Sequence, residues 1–377
     1  MNIKKILIAP DSFKGTMSSL EVCGIIREQF FLQAPEVEVV SLPIADGGEG
    51  TADCFLMIRE GKRVPVKVSG PLFEELDAWY ALINDGKTAI VELAVCAGLP
   101  LVENRKDPSL TTTYGVGQLV LHAAKSGAEE ILVAIGGSCT NDGGCGCAAA
   151  LGVKFFDKDG KLFVPTGGTL SDVERIDLSG IDPAMGDIVI KVICDVDNPF
   201  YGKNGAAYIF APQKGADEKM VGLLDDGLKH LSEKIETYTG KDIADMPGAG
   251  AAGGIGGGLA AFFGFPLESG IKAALDIAGF EELASGCDLI LTGEGRIDSQ
   301  SAHGKVIDGV AARAKRLGIP VIAIAGDIGD GYKELYEKGV SAVLSTNRAA
   351  IPFKQARLRA KSDLADTIDG LIRILKL

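Results

Sequence analysis

Five segments of this sequence place side chains able to do chemistry directly behind an apolar run. DSFKG (Asp11–Gly15) follows ILIAP, DGGEG (Asp46–Gly50) follows VVSLPIA, and GGSCTNDGG (Gly136–Gly144) follows ILVAI. DVDNP (Asp195–Pro199) follows IVIKVIC, and GEGRIDSQ (Gly293–Gln300) follows LILT. The last segment runs on to Lys305, so Glu294, Arg296, Asp298 and Lys305 bring both signs of charge to one place. Lys14, Asp46, Glu49, Asp195 and Asp197 arrive at comparable points in the other segments. Phosphoryl transfer needs this mixture. Negative charge spreads over the moving group, so cations must clamp it, carboxylates must hold Mg²⁺, and one carboxylate must take the proton of the acceptor hydroxyl. One such segment alone reads as a solvated salt-bridge cluster; the convergence of several reads as a site.

Two glycine-rich segments bear on an anion. In Gly136–Gly144, the glycines can turn backbone N–H groups outward while Ser138, Thr140 and Asn141 add neutral donors near the start of a helix. That is a phosphate cradle by construction. The alternative is a tight turn that needs positive φ, and the loop alone leaves both readings open. GAGAAGGIGGG (Gly248–Gly258), which includes Gly253 and Gly254, formally contains GxGxxG, but ADMP precedes it rather than a strand, so the dinucleotide fingerprint is not met. It reads as a second phosphate-approaching loop or a packing crossover. A P-loop is absent, because Ser299 stands where Gly304 and Lys305 would need a glycine. His122, His230 and His303 are dispersed and no GxSxG occurs, so a serine-histidine hydrolase is not indicated.

The elements that must position these residues alternate in type. The N-terminal stretch reads strand (6–9), helix (18–31), strand (38–42) and a helix from about 50, a parallel βαβ pattern. The middle is mixed. VPVKV, AWYALI and TAIVEL are short runs, the last two separated by Asn84-Asp85-Gly86, a hairpin signal. A helix over 114–126, a strand over 131–135 and a helix over 145–151 follow. Strict alternation returns with strands at 288–292, 320–325 and 342–345 and helices at 306–317, 331–338 and 353–375. This gives an α/β chain of two domains. Residues 1–64 with 285–377 form a discontinuous, doubly wound, five-stranded parallel sheet, and residues 65–284 form an inserted mixed α/β domain. The expected site is the cleft between them.

Composition narrows the partners. The 377 residues are 46% hydrophobic and 24% charged, ordinary globular usage, and the net charge of -13 argues against nucleic acid or an anionic membrane surface. The eight cysteines lie in apolar stretches without a CxxC pair and read as reduced core thiols. The stretch 247–267 is uncharged, but its glycines make a poor spanning helix. The short apolar run near the N-terminus does not make a signal segment, so the expected location is cytoplasmic. The basic residues around the last helix, Arg348 to Lys361, read as a solvated face.

Together, APDSFKGTMSS, PIADGGEGT, TTYGVGQL, IGGSCTNDGG, GAGAAGGIGGG and LTGEGRIDSQ occur in an order, over nearly the whole chain, that resembles the type I glycerate kinase family. Cys139 is the one departure, standing where alanine is expected. The resemblance implies a flavodoxin-like domain with an inserted mixed α/β domain, and ATP-dependent, Mg²⁺-assisted phosphorylation of D-glycerate to 2-phosphoglycerate in preference to 3-phosphoglycerate. The individual roles are our own expectation for such a reaction: Lys14, Arg296, Lys305 and Asp195 are expected to be catalytic, with Asp195 as the base. Asp11, Ser12, Asp298 and Gln300 would bind substrate. Gly136, Gly137, Ser138, Thr140, Asn141, Gly253 and Gly254 would bind the nucleotide, and Asp46 and Glu294 the metal. Two rivals stay open at this point: a Mg²⁺-dependent hydroxy-acid lyase or dehydratase, and a non-catalytic sensor of glycerate or nucleotide. A homo-oligomer also stays open.

Overall fold

The fold is described for residues 3–44, 50–186, 188–298, 301 and 306–376 of a computed structural model. In chain order the strands are β1 (Lys5–Ile8), β2 (Glu38–Ser41), β3 (Gly61–Ser69), β4 (Glu75–Ile83), β5 (Thr88–Glu92), β6 (Glu130–Ala134), β7 (Lys154–Phe156), β8 (Leu162–Phe163), β9 (Arg175–Asp177), β10 (Val189–Ile193), β11 (Leu267–Glu268), β12 (Leu289–Ile297), β13 (Val321–Ile328) and β14 (Val340–Ser345). They fall into two compact units, Met1–Asp46 with Ile271–Leu377, and Gly47–Gly270.

The first unit holds a five-stranded sheet, ordered β14-β13-β12-β1-β2 and parallel throughout. Counted within the unit, that is the 2-1-3-4-5 order of flavodoxin-like folds, with the reversal of strand order between β1 and β12. Parallel strands covered on both faces need continuous apolar runs, and these strands have them. Ile6, Ile8, Leu289, Leu291, Ile322 and Ile324 share a core with Val22, Ile26 and Phe30 of helix Ser19–Gln33 and with Leu364 and Ile368 of helix Phe353–Leu375. The intervening Leu7, Ile290, Val321 and Ala323 are equally buried and, by alternation, serve the opposite face, where helix Val306–Leu317 packs on β12. Helix Ser19–Gln33 starts where it does because Ser18 and Glu21 form a capping box.

The second unit is mixed. Its larger sheet runs β11-β10-β6-β5-β4-β3, with β11, β10, β6 and β5 parallel and the β5–β4 and β4–β3 pairs antiparallel. The β4–β5 turn uses Asn84, Asp85 and Gly86 with φ of 52°, 55° and 84°, the left-handed run that such hairpins require. Ala89, Val91, Ile131, Val133 and Val192 pack with Val116, Leu119 and Val120 of helix Tyr114–Lys125. A second core gathers Leu224, Leu228, Leu231 and Ile235 of helix Glu218–Thr239 around Phe155 and Phe200, beside the small sheet β8-β7-β9.

Two boundaries differ from the sequence reading. A cut at 64/65 would divide β3, which pairs with β4 along its whole length from Gly61 to Ser69, and helix Thr51–Ile58 packs on β4 and β5. Residues 271–284 go with the first unit, because Arg313 of helix Val306–Leu317 binds Asp276 at 2.5 Å and Glu281 at 3.1 Å. The strand expected at 288–292 also runs further: its ladder with β13 continues to the pair Ile297 and Ile328, so Glu294 and Arg296 sit on a strand rather than in a loop.

Candidate active site

In the first unit the candidate residues cluster where the strand order reverses, outside the carboxyl ends of β1 and β12, the position at which open α/β sheets bind ligands. The chain leaves β1 by donating Asp11 N–H to Gly293 O at 2.8 Å, and the buried Asp11 carboxylate accepts Ser12 N–H at 2.6 Å. Phe13 and Met17 then pair across a short turn, which lifts Lys14 to an exposed tip. The turn rests directly on β12. A Cβ on Gly295 would stand 3.0 Å from Lys14 N, so the two backbones approach closely here and a larger residue would have to displace the turn by a few tenths of an ångström. Strand alternation puts Gly295 on the face of helix Phe353–Leu375 and puts Glu294 and Arg296 on the other. Glu294 is 6% exposed. Arg296 is exposed, with its Nε 3.6 Å from Asp298 and 3.8 Å from Asp327. On the Gly295 side a cavity of about 260 Å³ opens, lined by Phe13, Lys14, Gly295, Asp327, Asn347 and Arg357 among others. Arg357 therefore belongs to a cavity wall and not only to the solvated helix face expected for it. Asp46, Gln300 and Lys305 lie outside the described residues.

In the second unit the loop Gly136–Gly144 joins β6 to helix Cys145–Ala150. Gly137 is exposed and Gly136 half-buried, while the segment from Ser138 to Gly144 is buried. The N-terminal amides of the following helix are already taken. Asp142 accepts N–H bonds from Gly144 at 3.1 Å and Gly146 at 3.2 Å, and from Thr113 N–H and Oγ1–H at 2.7 and 2.8 Å. A carboxylate of the chain itself thus answers the helix dipole. Burial pushes the Asp142 carboxyl up, and these four donors pull it back. Ahead of Asp142 the polar groups are less well served: Thr140 Oγ1 and both amide atoms of Asn141 are buried without a hydrogen-bond partner, in residues 0% exposed. Such groups cost of the order of 1–3 kcal/mol each unless something binds them.

Gly253 and Gly254 pack against this loop from behind. Gly143 N–H donates to Gly253 O at 3.0 Å, and a Cβ on Gly253 would fall 2.0 Å from Thr140 O. Ala252, Gly253 and Gly254 have left-handed φ, so the regular helix begins only after them. Asp195 stands at the exposed end of β10, next to β6 in the sheet, and its Oδ1 accepts Gly270 N–H at 2.7 Å at the start of helix Gly270–Ala278.

The sequence profile of the glycerate kinase family matches residues 6–376. A glycerate kinase of Bacillus cereus is 43% identical over 99% of this chain and 98% of its own length. A glycerate 2-kinase of Escherichia coli is 47% identical over 90% of each chain. A crystal structure provisionally assigned as glycerate kinase 2 of Salmonella typhimurium LT2 superposes with a TM-score of 0.86 at 40% identity, covering 100% of this chain and 99% of that one. The chain belongs to the glycerate kinase family. It is an enzyme, a kinase, which sets aside the lyase and sensor readings.

Sequence reading passes over charged residues that this glycerate kinase family member buries, Glu92 and Lys214 among them. Glu92, at the end of β5, accepts Ala52 N–H at 2.5 Å and Gly50 N–H at 3.2 Å, and so serves the N-terminus of helix Thr51–Ile58. Lys214, 2% exposed, donates to Ser138 Oγ at 2.7 Å and to Thr140 O at 2.6 Å. Neither stands in a charged or glycine-rich segment behind a strand: Glu92 is enclosed in VEL and Lys214 in PQKGA. No disulfide joins any of the eight cysteines, seven of which are buried, and burial pushes the Cys139 thiol of the kinase up to about 12. Among the described residues no helix is long and apolar enough to cross a membrane.

Proposed function

We propose that the enzyme transfers the γ-phosphoryl group of ATP to the 2-hydroxyl of D-glycerate, giving 2-phosphoglycerate and ADP. The observation that carries this reading is the 47% identity, over 90% of each chain, to a relative named glycerate 2-kinase. Features of each unit support it. Thr140 and Asn141 offer the phosphates side-chain donors that lack partners, Ser138 stands beside them, and the half-buried Gly136 and exposed Gly137 form the edge of the loop. Gly253 and Gly254 hold that loop in place from behind and act as positioning residues.

Lys14 and Arg296 clamp the substrate carboxylate and the transferred phosphoryl group, with Lys305 as an auxiliary cation. Asp11, Ser12, Asp298 and Gln300 orient glycerate. As the glycerate oxygen bonds to γ-phosphorus and the bond from γ-phosphorus to the β,γ-bridging oxygen breaks, Asp195 takes the hydroxyl proton and ADP leaves. Mg²⁺, when bound, neutralises charge on the β- and γ-phosphate oxygens. Kinase Mg²⁺ is held by one or two carboxylates and the phosphates rather than by a protein cage, and Glu294, 6% exposed on β12, would hold it together with Asp46. The test is a coupled ADP-release assay with Mg-ATP. ADP release that depends on D-glycerate is expected, and equal release with and without D-glycerate would overturn the reading.

A further inference from the structure

We propose that Lys214, Ser138, Thr140 and Asn141 form a buried anion-binding site that takes an anionic oxygen of one co-substrate, either phosphate or carboxylate. Lys214 carries the argument. A buried ammonium is costly unless a countercharge sits beside it. Its Nζ gives hydrogen bonds to the neutral Ser138 hydroxyl and the Thr140 carbonyl, and among the described residues Lys214 forms no ion pair. The charged or titratable groups that act on it are the Cys139 thiol and Asp142. Asp142 spends its oxygens on Thr113, Gly144 and Gly146, and the buried Cys139 thiol stays protonated.

The second observation is independent of charge. Thr140 Oγ1 and Asn141 Nδ2 are donors without a partner, in residues 0% exposed, one and two positions beyond the Cys139 that follows Ser138. A cation with spare donor capacity and two unsatisfied neutral donors on one loop are what an anionic oxygen requires. Ser138, 7% exposed and next to the exposed Gly137, is the edge from which such an oxygen reaches the lysine. This inference rests on the kinase reading for the identity of its ligand, and it adds a cation that lies outside every charged segment of the sequence.

The test is calorimetric binding of ADP, D-glycerate and inorganic phosphate, each measured separately, to the full-length wild type, Lys214→Met and Lys214→Arg, with thermal midpoints for all three. The expected result is that Lys214→Met weakens either ADP or D-glycerate at least tenfold, leaves the other within twofold, and does not lower the midpoint. Loss confined to ADP identifies a phosphate oxygen, and loss confined to D-glycerate a carboxylate. Because burial brings Lys214 down to about 8, wild-type affinity for that ligand should fall roughly eightfold between pH 7.5 and pH 9, and Lys214→Arg should abolish the fall. Unchanged binding of both ligands to Lys214→Met, or equal weakening of both with a lowered midpoint, would overturn the proposal and leave Lys214 a structural tie. Failure of the kinase reading looks different: inorganic phosphate would bind in a Lys214-dependent way while wild type binds neither ADP nor D-glycerate.

Discussion

At the scale of single residues, burial decides what each charge can do. The Lys214 ammonium falls from its ordinary 10.5 to about 8 because it is removed from water. Between those values the unfolded chain holds a proton that the folded chain has released, so unliganded stability rises as pH climbs from 8 to 10.5. Below 8 the burial cost is fully present, on the order of 3 kcal/mol for that separation. Urea titrations at pH 7, 8.5 and 10 should show this rise in wild type and not in Lys214→Met; parallel curves for the two proteins would contradict it. Lys14 and Arg296 are the reverse case, exposed side chains. Lys14→Ala and Arg296→Ala should each lower kcat/KM by roughly 100-fold or more with an unchanged thermal midpoint. A folded variant with near-normal activity would remove that residue from the clamp. The exposed and glycine-flanked charges were legible in the sequence because their segments follow apolar runs. Lys214 and Glu92 were not, since nothing local marks a charge that the chain buries by long-range packing.

At the scale of elements, strand ends and glycine turns do the positioning. Continuous apolar runs made the parallel strands readable, and the AsnAspGly turn did the same for the hairpin, because both signals are local. Strand β12 looks shorter in the sequence than it is, since its last five residues contain two glycines and two charges and pair as strand with β13. The sequence around Gly253 admits two roles for a similar reason: its partner, the Thr140–Gly143 backbone, is more than a hundred residues away in sequence. That contact gives a prediction. Gly253 has φ of 78° and no room for a Cβ against Thr140 O, so Gly253→Ala should cost about 2 kcal/mol or more and distort the Gly136–Gly144 loop. Urea denaturation that places Gly253→Ala within about 0.5 kcal/mol of wild type would show that the contact is not needed.

At the scale of the whole molecule, the five-stranded parallel sheet assembled from both ends of the chain was legible because alternation of strand and helix stops and then resumes. The exact division was not, because helix Thr51–Ile58 and helix Gly270–Ala278 are assigned by tertiary contacts that leave no local trace. Family membership rests on matches that span the chain, and the same span carries the choice of hydroxyl that we propose. The most direct test is ³¹P NMR of the full-length protein with Mg-ATP and D-glycerate. The account predicts a new phosphomonoester resonance split into a doublet by the single proton on C2, growing as the γ-phosphate signal of ATP declines. A triplet from the two C3 protons would contradict the assigned hydroxyl, and ATP that remains intact or is consumed without any glycerate-dependent signal would contradict the kinase itself.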